Sequence, residues 1–157
     1  MTQPTTPIWF RPYRLDDVSE RSGQTLVSHL GIEFTELGCD YLRGRMPVDA
    51  RTHQPYGILH GGASVVLAET LGSSAANLVV DPALYACVGL EINANHVRAV
   101  REGFVTGTAR PLHLGRSNQI WEIRIENDAG QLTCISRLTM SVLEIARLGG
   151  LGRLGGA

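Results

Sequence analysis

The chain contains no lysine, so all 14 of its basic residues are arginine. That absence excludes Schiff-base chemistry and the lysine of a Walker-type phosphate loop. A phosphate would have to be held by arginine forks or by a helix N-terminus. An excess of either charge is also missing: 14 basic residues stand against 15 acidic ones, for a formal net charge of -1. No global field favours nucleic acid or an anionic membrane, and neither is expected as a partner. Cysteine is scarce and odd in number. Cys39, Cys87 and Cys134 have neither CxxC nor zinc-like spacing, which points to free thiols in a reducing compartment. The five histidines, His29, His53, His60, His96 and His113, lack HxH and HExxH spacing, so no metal is expected. Aromatic residues make up 6% of the chain, too few to reveal an aryl pocket. Met1 to Pro7 holds no charged stretch followed by an apolar one, so the expected location is the cytoplasm. The apolar run Ala63 to Val80 is broken by Glu69, Asn77 and several Gly and Ser residues, which argues for a buried helix and against a membrane span.

What is present suffices for one domain: 157 residues, 43% of them hydrophobic, can close a single core. Leu15 to His29 reads as one or two short helices, broken near Ser22-Gly23, with Asp16 and Asp17 suited to a helix start. Residues 1–30 are expected to form a covering segment and 31–145 the main domain. Strands are expected over Gly31 to Leu37 and Tyr41 to Val48, with a turn at Gly38-Cys39-Asp40. Asp49 to Gly57 reads as a polar loop. Past Asp81-Pro82 come four strand-like runs: Tyr85 to Arg98, Gly103 to His113, Asn118 to Asn127 and Leu132 to Leu143. Asn127-Asp128-Ala129-Gly130 makes the last two a hairpin. Trp121, Ile123 and Ile125 alternate with Glu122, Arg124 and Glu126, the pattern of a sheet with one wet face. The order predicts an α+β fold, an antiparallel sheet wrapped around one long central helix. Glycine dominates 146–157, so a disordered tail is expected there.

Within the central helix, Ala63, Val66, Leu67, Thr70, Leu71, Ser74 and Leu78 recur at helical spacing and predict its apolar stripe. Glu69 is off that stripe. It shares a second face with Gly62, Val65, Gly72, Ser73 and Ala76, small residues that would let a second chain or a ligand come close. A lone carboxylate on such a face is costly to bury unless it is used, which makes Glu69 a candidate catalyst. Gly61 and Gly62 open the helix, where backbone N–H groups lack intrahelical partners and the dipole is positive. They can form an oxyanion hole. Glu69 would then act as nucleophile or general base toward a carbonyl polarised by those donors. The eight residues from Gly61 to Glu69 span about 12 Å along a helix at about 1.5 Å per residue, whereas oxyanion donors must lie within about 3 Å of the oxygen. One chain cannot bring both to one carbonyl. A second copy of the helix, antiparallel alongside, could, so the spacing predicts a two-fold site in a homodimer. Gln54 and His60 flank the arrangement: the Gln54 amide could hold the carbonyl or a water, and His60 either orients substrate or caps the helix.

Two stretches then carry a likeness. Gln54-Pro55-Tyr56-Gly57-Ile58-Leu59-His60-Gly61-Gly62-Ala63-Ser64 with Glu69, and Val88-Gly89-Leu90-Glu91-Ile92-Asn93-Ala94-Asn95-His96-Val97-Arg98, resemble the hotdog-fold acyl-CoA thioesterases. The likeness is to the 1,4-dihydroxy-2-naphthoyl-CoA, 4-hydroxybenzoyl-CoA (Arthrobacter-type) and enterobactin-proofreading branch, and it covers Gly31 to Glu144. It implies a hotdog sheet, a dimer of dimers, and hydrolysis of a CoA or carrier-protein thioester with no metal or cofactor, CoA entering as part of the substrate. By motif match Glu69 would be the catalytic carboxylate, Gly61 the oxyanion donor, Gln54 and His60 the carbonyl-positioning pair, and Ser73 a residue near the leaving group. His96, Arg98, His113, Arg116 and Ser117 would be the residues for the CoA nucleotide. Two other readings remain open: a hotdog hydratase or dehydratase, against which stands the missing His-Phe-Pro-Gly motif, and a non-catalytic acyl-CoA-binding module.

Overall fold

The computed structural model describes residues 6–20 and 23–147. Of the disordered tail expected at 146–157, Ala146 and Arg147 belong to a 3-10 turn, Ile145–Arg147, and the rest lies outside the described residues, as does Ser22 of the break expected near Ser22-Gly23. Two short helices precede the sheet, α1 (Leu15–Ser19) and α2 (Leu26–His29). In α1 the Asp17 carboxylate accepts the Arg14 N–H at 2.7 Å, and in α2 the Thr25 hydroxyl accepts from Val27 N–H, satisfying donors that a helix start leaves open. The strands are β1 (Glu33–Leu37), β2 (Leu42–Pro47), β3 (His53–Gln54), β4 (Ile58–Leu59), β5 (Tyr85–His96), β6 (Phe104–Leu114), β7 (Asn118–Asn127) and β8 (Leu132–Glu144). The central helix, α3, spans Gly61–Val79. It begins two residues earlier than its apolar spacing suggests, because the glycine pair is taken into its first turn.

Six strands form one antiparallel sheet in the order β1-β2-β6-β7-β8-β5. This is the expected α+β architecture, with α3 packed against β2, β5, β6, β7 and β8. The alternation read in β7 holds: Trp121, Ile123 and Ile125 are fully buried, while Arg124 is exposed. At the sheet centre Gly44 and Gly107 are cross-strand partners. A methyl group on either would come within 2.8 Å or 2.6 Å of a Leu71 methyl, so the two glycines let the helix descend onto the strands. Full burial of a leucine such as Leu71 or Leu67 contributes roughly 1.5–3 kcal/mol.

The two helix faces divide differently from the sequence reading. Gly72 and Ala76, assigned to the outer small-residue face, are buried, and a methyl on Gly72 would meet Leu138 at 2.5 Å. Val66, Thr70 and Ser74, assigned to the apolar stripe, are only half-buried. The curled sheet covers a broader and rotated arc of the helix than a flat layer would, so the buried set runs through Leu67, Ala68, Leu71, Gly72, Ala75 and Ala76. The polar loop read from Asp49 to Gly57 holds β3, which pairs with β4. Two-residue strands carry no periodicity for a sequence to display.

An N-terminal strap crosses the molecule. Ile8 N–H bonds Cys39 C=O, Phe10 N–H bonds Leu78 C=O, both at 2.9 Å, and the Trp9 indole donates to Gly38 C=O at 2.7 Å. The strap therefore links the β1–β2 turn to the far end of α3. The three thiols are unbridged. Burial pushes the Cys87 thiol up to about 11 and raises Cys134 as well, whereas Cys39 is half-exposed. Since the thiolate is the reactive species, a disulfide reagent at pH 8 is expected to label one thiol per native chain and three after unfolding. Two or three fast-reacting thiols in the native protein would contradict the packing around Cys87 and Cys134.

Candidate active site

The start of α3 is assembled from both sides. Leu59 N–H bonds Val100 C=O and His60 N–H bonds Thr52 C=O, each at 2.8 Å, and the His53 ring nitrogen Nε2 meets Arg101 C=O at 2.9 Å. The β3–β4 hairpin is thus fixed to the segment after β5. His60 is the N-cap residue, and its Nδ1 accepts the Gly62 N–H at 2.8 Å. An Nδ1 that accepts leaves the proton of the neutral ring on Nε2. Ala63 and Ser64 N–H both reach the His60 carbonyl. Among the described residues, Gly61 N–H is the donor of the first turn that has no acceptor, at the positive end of the helix dipole.

Gln54 is fixed by its neighbour, since its Oε1 accepts the Tyr56 N–H at 2.8 Å. Its Nε2 hydrogens remain to be offered to a ligand. A cleft of about 410 Å³ is lined by Gln54, Leu59, Gly61, Ser64, His96 and Arg98 among others. The His96 ring lies over the helix start: a methyl on Gly61 would be 2.9 Å from His96 Nε2. The apolar wall (Ile58, Leu59, Val97) with a few convergent donors is the usual make-up of a small-molecule site.

Glu69 lies elsewhere. It is half-buried, its carboxylate rests on β5, and a methyl on Gly89 would stand 2.7 Å from its Oε1. Burial raises its pKa above the ordinary carboxylate value, because desolvation disfavours the charged form. Ser73, one turn further on, is half-buried. Gly89 had no role in the sequence reading; the available signal was a glycine inside an apolar strand run, which marks close approach of another group.

The five nucleotide-binding candidates divide in the same way. His96 and Arg98 share the cleft with Gly61. His113, Arg116 and Ser117 sit at the β6–β7 turn, all exposed. Asn118 pairs with Ser141, which pairs with Val88, next to Gly89, whereas His96 pairs with Cys134. Val88 and His96 are about 26 Å apart along β5 at about 3.3 Å per residue. The candidates of one chain therefore fall into two groups, each a candidate half-site: Gln54, His60, Gly61, His96 and Arg98 around the start of α3, and Glu69, Ser73, Arg116 and Ser117 further along, with His113 nearby. Among the described residues no three His, Cys, Asp or Glu side chains converge as a metal cluster would require, and no helix is long and apolar enough to cross a membrane.

Residues 56–134 match the family model described as the thioesterase superfamily. The chain belongs to the thioesterase superfamily. It is 53% identical over 136 residues to the proofreading thioesterase EntH of Cronobacter turicensis, covering 87% of this chain and 98% of that one. Among solved structures, a thioesterase variant from Pseudomonas aeruginosa superposes with a TM-score of 0.86 at 49% identity, over 87% of this chain and 99% of the other. A thioesterase from Haemophilus influenzae gives 0.85 at 47% identity, over 88% and 96%. The protein is a thioester hydrolase with the hotdog fold of its relatives.

Proposed function

We propose that the thioesterase hydrolyses aryl- or acyl-CoA thioesters, or the same acyl groups on a carrier protein, at sites shared by two copies of the chain. Glu69 of one copy acts on a carbonyl held by Gly61 N–H of the other. The carbonyl oxygen takes the Gly61 N–H, with the His60 Nε2–H and the Gln54 amide N–H as further donors. In one form Glu69 takes a proton from water as its oxygen bonds the carbonyl carbon; the tetrahedral adduct then expels the thiolate, which takes up that proton. In the other the Glu69 carboxylate itself attacks, the thiolate leaves, and water cleaves the resulting anhydride. Solvent-derived label in the Glu69 carboxylate after a single turnover marks the second form. No metal enters either form. Unbridged thiols fit a cytoplasmic location.

The observation that supports this reading is the spacing within one chain: Gly61 opens α3, whereas Glu69 lies near its middle against Gly89, about 12 Å further on at about 1.5 Å per residue. A two-fold axis that sets two α3 helices antiparallel would bring each half-site against its complement. Strand β5 supports it: 12 residues long and, among the described residues, paired only to β8, with Leu90 64% exposed, it is the kind of open edge that accepts another strand. Pairing of two such dimers into a tetramer belongs to the same proposal.

The test is complementation. Glu69→Gln and Gly61→Val chains are each expected to be inactive alone. A mixed dimer holds one site with both lesions and one with neither, so random exchange of equal amounts should restore about a quarter of wild-type activity. Mixed dimers seen by mass spectrometry without recovered activity would reject the shared site.

A further inference from the structure

Asn77 is tied to β5 by its side chain. The Nδ2 group donates to Cys87 C=O at 3.1 Å and to Ser73 C=O at 2.9 Å, while Oδ1 accepts the Cys87 N–H at 2.9 Å. The amide therefore occupies both backbone groups of Cys87, as a neighbouring strand residue would. Those groups face the open side of β5, since β8 lies on the other. The Cys87 thiol adds a contact of 3.4 Å to Ala76 C=O. Two residues along the strand, Gly89 meets the Glu69 carboxylate, and the β5–β8 register shifts at this point, between Gly89 and Glu91. Glu69, Ser73 and Asn77 follow one another at intervals of four, which puts them on one stripe of α3.

We propose that Asn77 is a positioning residue for Glu69: by pairing with Cys87 on the open edge of β5 it fixes the rotation and height of α3 at which the carboxylate lies on Gly89. The inference rests on Glu69 being the reacting carboxylate. A helix packed through smooth apolar contacts can rotate or slide by small amounts, whereas two directional bonds to the strand set one arrangement. At Cys87 the edge of β5 is thus occupied by the chain's own helix. Glu69 is the only ionisable residue of α3. The ionisable groups of the covering strand are Tyr85, Cys87, Glu91 and His96, and burial is the cause of the Glu69 shift. Loosening the clamp should wet the carboxylate and lower its pKa.

Asn77→Leu keeps the branched shape of the side chain and raises helix propensity while removing all three bonds. The expected result is a fall in kcat of about 10- to 100-fold, as for a misplaced reacting group, with KM within about threefold and the acid limb of the kcat–pH profile moved to lower pH. Asn77→Ser, which removes the amide and adds no charge, should show the same pattern and decides the matter if the leucine variant does not fold. A lowered melting temperature with kcat and the acid limb unchanged, in whichever variant folds, would reduce Asn77 to a structural tie and overturn the proposal. Glu69→Gln, run in parallel, separates the two ideas: near wild-type turnover there overturns the role of Glu69 itself.

Discussion

Glu69→Gln is expected to lower kcat by about 10²- to 10⁴-fold, the usual contribution of a general base or more, while the protein folds and binds its thioester substrate as before. Glutamine has the shape of the glutamate it replaces, so the contact with Gly89 survives. A neutral amide neither accepts a proton at neutral pH nor attacks a carbonyl. The same substitution is expected to stabilise the fold. The folded-state pKa of Glu69 is raised by burial, so ionisation is less favourable in the folded chain than in the unfolded one. Stability is therefore lost as pH rises from the ordinary carboxylate value through the raised one, and is regained on acidification. The variant does not ionise there. Its melting temperature should match wild type at pH 4 and exceed it at pH 8. Turnover near wild type, or a melting difference that shrinks with rising pH, would contradict this account.

Trp121→Ala is expected to cost about 3–5 kcal/mol of stability, the range for deleting a large aromatic from a core. Trp121 is 0% exposed at the centre of β7, beneath α3. Its indole N–H donates to Gln119 Oε1 at 3.0 Å, and the Gln119 amide, buried itself, goes on to Ala76 C=O at 3.4 Å and the Cys87 sulfur at 3.7 Å. Alanine leaves a void and an unsatisfied buried carbonyl, each of which destabilises. Trp121→Phe fills most of the void and isolates the second effect, about 1–3 kcal/mol for an orphaned buried acceptor. Urea unfolding with an unchanged m-value reads both; a loss below about 1 kcal/mol for the alanine variant would mean the core relaxes around the gap.

The sequence made visible those features that follow a short period. Alternation at Trp121, Ile123 and Ile125 placed β7, and helical recurrence through Leu67, Leu71 and Leu78 placed α3 within two residues of its start. Glu69 stood out as one carboxylate in an apolar run, and its distance from Gly61 followed from helix rise alone. Features that depend on how elements meet were not legible. Which face of α3 is covered depends on how far the sheet curls, so Gly72 and Ala76 were assigned outward although they pack on β7 and β8. The clamp from Asn77 to Cys87 joins a side chain to a backbone ten residues away, and no periodic pattern reports such a bond. The separation of Arg98 from Arg116 depends on strand register, which a likeness of motifs does not display.

The strap formed by Ile8, Trp9 and Phe10 lies outside the stretch shared with the superfamily, 56–134, yet it holds the Leu78 carbonyl and the turn at Gly38-Cys39. An expression boundary drawn at the edge of the shared stretch would cut this seam. It would also remove β1 and β2 and leave the Leu78 carbonyl, at the last turn of the central helix, without the Phe10 N–H, so a chain trimmed to the matched stretch would be a less cohesive molecule.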